Sequence, residues 1–89
     1  MKYLIMFEQT ETGFSVQVPD LAIVTYGKNI EAAKQAAIKA IKINLEAYIE
    51  AGKEIPEKEP VTKHLGNPDF AGLLFAYVNV YQSKEKIAV

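Results

Sequence analysis

The stretch Gly13–Ala33, GFSVQVPDLAIVTYGKNIEAA, decides the fold, because it holds a strand, a turn, a second strand and a helix start in succession. Phe14, Val16 and Val18 alternate with Ser15 and Gln17, the period-two pattern of a strand with one face buried. Pro19-Asp20 ends that strand, since proline brings no amide hydrogen to a ladder. Ala22–Tyr26 returns to extended, β-branched character and Gly27 stops it. Asn29 then suits an N-cap, and Glu31 in the first turn suits the positive end of a helix dipole.

Outward from this stretch, Lys2–Glu8 reads as a first strand with Tyr3, Ile5 and Phe7 on one face and Leu4 and Met6 on the other. At 100° per residue, Ile30, Ala33, Ala37, Ile41, Leu45 and Tyr48 gather on one stripe of a helix ending near Ala51, with Gly52 placed to stop it. Lys53–Asn67 is polar and contains Pro56 and Pro60, so it is expected to be a long extended loop with little regular structure. Gly72–Tyr81 reads as a fourth strand, again apolar on both faces: Leu74, Ala76, Val78 and Val80 against Leu73, Phe75, Tyr77 and Tyr81. The expected fold is therefore α+β, a small antiparallel sheet of three to four strands in the order β-β-β-α-β against one long helix. The whole chain, residues 1–89, makes one domain, with a short tail at 82–89.

Composition narrows the function. With 49% apolar residues the chain can form one modest core, and no apolar run approaches the roughly 18 residues of a membrane span. Met1-Lys2-Tyr3 runs straight into a strand pattern with no visible signal peptide, and there is no cysteine, which suits a reducing cytoplasm. The net charge is −1 and every basic residue is lysine, so neither a global field nor the arginine fork favours sequence-specific DNA binding.

No catalytic set emerges. His64, the one histidine, stands between Lys63 and Leu65 with no partner of matching spacing, and reads as a solvated loop residue. Glu31, Glu46 and Glu50 fall on the solvent side of the helix, while Glu54, Glu57 and Glu59 interleave with Lys53 and Lys58 as a solvated charge run. Glu8 and Asp20 could approach across the first strands, yet their spacing favours no metal site. No catalytic residue, metal ligand or cofactor is therefore expected.

The order of these segments resembles the HicB-like antitoxin family, one half of bacterial HicA–HicB toxin–antitoxin pairs. The likeness rests on Gly13-Phe14, Val18-Pro19-Asp20-Leu21, Gly27, Ile30-Glu31-Ala32-Ala33, Gly52-Lys53-Glu54-Ile55-Pro56 and Asn67-Pro68-Asp69-Phe70-Ala71 followed by Phe75–Val80. It departs where the family's Pro-Gly-Cys is Ala22-Ile23-Val24. The resemblance implies a non-catalytic module that binds and neutralises a HicA-like RNA-cleaving toxin, touching DNA only through an additional domain for which Gln82–Val89 is too short. Irregular and edge elements would make the toxin contact, with Asp20 and Glu54 as acidic contacts and Tyr26 as an aromatic anchor. One helix covers one sheet face, so Tyr3, Phe7, Phe75 and Tyr77 are expected to form a homodimer or higher-oligomer interface. The alternative is a stand-alone oligomeric module with a structural or RNA-binding role, stacking bases on the same aromatics and Tyr81.

Overall fold

A computed structural model describes residues 1–80. Four strands, β1 (Lys2–Gln9), β2 (Phe14–Val18), β3 (Ile23–Gly27) and β4 (Leu74–Asn79), form one sheet in the spatial order β3-β2-β1-β4. Every neighbouring pair is antiparallel, so the first three strands are a meander and β4 returns to the far side of β1. The long helix α1 spans Ile30–Glu50 and a single helical turn, α2, spans Val61–Leu65. This is the α+β fold in the order β-β-β-α-β that the sequence implies.

Register decides which residues share a face. Phe7 lies opposite both Val16 and Leu74, Tyr3 opposite Val78, and Val18 opposite Ile23. Tyr3, Ile5, Phe7, Val16, Val18 and Val78 meet Ala33, Ala37, Ile41 and Leu45 of α1 in one core. Small alanines at the contact let the helix axis come close, and three strands plus the helix exclude water from all of these side chains. Tyr3 and Phe7, expected at an oligomer interface, are thus buried beneath α1, at 0% and 4% exposure. Phe75 and Tyr77 pair with Met6 and Leu4 on the opposite face, and Tyr77 is half exposed. The four aromatics therefore cannot form one surface, because alternation places them on two sides of the sheet.

Gly27 explains how closely α1 follows β3. A Cβ there would lie 2.1 Å from the Ala33 nitrogen and 2.4 Å from its Cα, so only glycine allows the helix backbone to cross the end of the strand. Asn29 caps the helix as expected, its Oδ1 accepting from the Ala32 amide at 2.7 Å. At the other end Gly52 adopts φ +68°, the Gly52 amide donates to the Ile49 carbonyl and the Lys53 amide to the Tyr48 carbonyl. That pair of bonds is a Schellman motif and stops the helix.

Three boundaries differ from expectation. Ala22 stands outside β3 at φ 53°, closing a 3-10 turn over Pro19–Leu21. β4 begins at Leu74 instead of Gly72, whose φ of +83° takes it out of the strand, and Tyr81 and the tail lie outside the described residues. The segment expected to be irregular contains α2, started by Pro60 and ended at Gly66, whose amide bonds the Thr62 carbonyl. A second 3-10 turn, Pro68–Phe70, is capped by the Asn67 side chain, which accepts from the Asp69 amide at 2.9 Å.

Candidate functional site

The polar centre of the molecule is a partly buried cluster where the Pro19–Leu21 turn meets the segment around α2. Asp20 leaves the end of β2 on that turn, and its side chain is only 3% exposed. Its Oδ1 accepts from the backbone amide of Glu59 at 3.0 Å and lies 3.1 Å from His64 Nε2. His64, 5% exposed, reaches it from α2, with the Phe70 ring 6.2 Å away by centroids and tilted. A buried carboxylate needs such donors, and a buried imidazole needs such an acceptor.

Around this pair the cluster continues. Glu59, just before α2, pairs with Lys63 four residues on at 2.5 Å, an exposed contact that holds the Lys63 ammonium protonated above the ordinary lysine range. Lys58 donates to the Lys2 carbonyl at 3.0 Å and places its ammonium 5.2 Å from the Tyr3 ring centroid. Tyr3 itself is fully buried, and its hydroxyl has no hydrogen-bond partner among the described residues. Burial first, and then the negative charge of Asp20, push the Tyr3 pKa above its usual value. Asp20, Glu59 and His64 each present a ligand atom within 4.8 Å of the others.

His64 is thus not a solvated loop residue. The chain brings it to a carboxylate 44 positions away, a pairing that no local spacing reveals. The only local sign is the bracket of Pro60 and Gly66 around a short helical turn.

The three residues expected to meet a partner do not form one patch. Asp20 points inward and is held by its two donors, so it ties the α2 segment to the Pro19–Leu21 turn and presents no free acidic contact. Tyr26 lies on edge strand β3, opposite Ser15 and on the face away from α1, with its ring 47% exposed. Its hydroxyl donates to the Thr12 carbonyl at 2.5 Å and lies 3.0 Å from Thr12 Oγ1, fixing the β1–β2 turn. Val24, two residues earlier on the same face, is 68% exposed. Glu54 is exposed in the segment that follows α1. No helix among the described residues is long and apolar enough to cross a membrane.

The comparisons with known proteins fit this architecture. The N-terminal domain of Burkholderia pseudomallei antitoxin HicB superposes with a TM-score of 0.81 at 26% identity, covering 91% of this chain and 99% of that one. The antitoxin HicB of the same organism gives 0.82 at 26%, covering 94% of this chain and 66% of that one. A chain of the HicA3 and HicB3 toxin–antitoxin complex gives 0.74 at 21%, a likeness of fold that covers 91% of this chain and 99% of that one. The family model described as HicB-like antitoxin of bacterial toxin–antitoxin system matches residues 3–88, and the chain belongs to that family. An uncharacterized 14.9 kDa protein of Haemophilus phage HP1 is 27% identical over 81 residues, of which this chain spans 61% of the length.

Proposed function

We propose that the chain is an antitoxin-type binding module that captures and neutralises a small HicA-like RNA-cleaving toxin, and that it does so without catalysis of its own. The observation that carries this reading is the family match over residues 3–88 on a fold that superposes on antitoxin domains across 91% of the chain. A protein of the same fold stands in the HicA3–HicB3 complex. Edge strand β3 supports the reading physically: among the described residues it pairs only with β2, and it exposes Val24 and Tyr26 along that open edge. An aromatic ring on a rigid edge is the kind of anchor that dominates protein interfaces. Glu54 supplies a carboxylate toward a basic partner. A homodimer across the helix-free face, through Phe75 and Tyr77, completes the reading.

Co-expression tests it. A HicA-like toxin encoded beside the gene for this chain should arrest growth when induced alone, and co-induction of this chain should restore it. Arrest that persists with the chain present at equal level would overturn the reading.

A further inference from the structure

We propose that Asp20, Glu59 and His64 form a divalent transition-metal site, best matched to Zn2+, in which His64 Nε2, Asp20 Oδ1 and one Glu59 carboxylate oxygen are the ligands. The inference is independent of toxin binding. A tetrahedral zinc with bonds of about 2.0–2.1 Å to nitrogen and oxygen sets its ligand atoms roughly 3.2–3.4 Å apart. His64 Nε2 and Asp20 Oδ1 are already 3.1 Å apart, and all three ligand atoms lie within 4.8 Å of one another. The third ligand closes the remaining distance by a side-chain rotation. Glu59 is free to make it, because its carboxylate is 44% exposed and is held only by Lys63, an exposed ion pair of little worth.

Two further features suit a cation. The nitrogen–oxygen set from one imidazole and two carboxylates is a borderline-hard set that zinc accepts, with a fourth position left for water. Tyr3, fully buried, feels the Asp20 charge and has no hydrogen-bond partner for its hydroxyl among the described residues. Bound charge at the site would act on the same buried phenol that the Asp20 charge reaches. Binding converts a hydrogen bond into a coordination bond: the His64 Nε2 lone pair turns to the metal, its proton resides on Nδ1 or leaves to solvent, and the Glu59 amide continues to hold Asp20. The ion would fasten the segment around α2 to the turn that follows β2.

Calorimetric titration of chelator-treated chain with ZnCl2, followed by thermal melting, is the test. One zinc per chain should bind, and the midpoint should rise by on the order of 10 °C at ~100-fold excess over Kd. Co2+ should give the visible bands of a four-coordinate site. His64→Gln should abolish binding. Because that variant could also lose its fold, Glu59→Gln is the second arm: it removes an exposed carboxylate, should melt as the parent does without metal, and should weaken zinc by at least about tenfold. Absence of any zinc-dependent shift in the parent, or an equal shift in Glu59→Gln and the parent, overturns the proposal.

Discussion

The Asp20 carboxylate and the His64 imidazole, 44 residues apart in the chain, meet at 3.1 Å in a setting where each side chain is less than a tenth exposed. This contact joins the turn between β2 and β3 to the segment that leads from α1 to β4. Removing the carboxylate strands the buried imidazole and takes the acceptor from the exposed Glu59 amide. Asp20→Ala should therefore lower stability by about 2–3 kcal/mol in metal-free urea unfolding. The double variant with His64→Leu should cost less than the sum of the singles, because the second change removes a donor already stranded.

Gly27→Ala should be more damaging than its single added methyl suggests. The new Cβ would fall on the backbone of Ala32 and Ala33, which cannot move without shifting α1 from the core. A loss of about 3 kcal/mol or more is expected from overpacking against backbone, read as a lowered denaturation midpoint. Gly52→Ala has open space around its Cβ and should cost only the strain of a positive φ, roughly 1 kcal/mol.

Tyr3→Phe should leave the metal-free protein as stable as the parent or up to about 1 kcal/mol more stable, since the ring stays and an unpartnered buried hydroxyl goes. The same residue shapes the alkaline limb. Burial and Asp20 raise its folded pKa above the ordinary value of 10.0, so the folded chain keeps the phenol proton where the unfolded chain loses it. Stability from this source is full below pH 10 and falls as pH rises through and beyond it. Tyr3→Phe should show a shallower decline above that pH in urea melts.

Much of this architecture is legible in the order of residues, and the failures have physical causes. Alternation in Phe14–Val18, the Asn29 cap and the Gly52 stop locate β2 and α1, because each is a local backbone requirement. In β1, five consecutive buried residues satisfy both periodic phases, so the sequence cannot say which phase α1 covers. That is why Tyr3 and Phe7 read as interface when they are core. Asp20 and His64 look like solvated polar residues singly, and only tertiary closure of the α2 segment makes them partners.

The proposed homodimer across the face that α1 leaves is tested by its mass. Light scattering at micromolar concentration should give at least twice the 9.9 kDa chain mass, and Tyr77→Glu should return the monomer. A monomeric parent would remove Phe75 and Tyr77 from the interface.

Toxin capture through β3 predicts that Tyr26→Ala weakens binding by about 1–2 kcal/mol or more and that Glu54→Lys slows association at low salt. Both should leave the urea midpoint of the free chain within about 1 kcal/mol of the parent, the Tyr26 loss arising from its Thr12 bond. Unchanged calorimetric affinity in both variants would place the contact elsewhere.

RNA cleavage by a purified HicA-like toxin from the neighbouring gene, titrated with this chain, tests the central claim most directly. Cleavage should fall linearly and end near one equivalent, with a Kd of ~1 μM or tighter, and the chain alone should leave the RNA intact. Undiminished cleavage at saturating excess of folded chain, or RNA cut by the chain itself, would contradict the account.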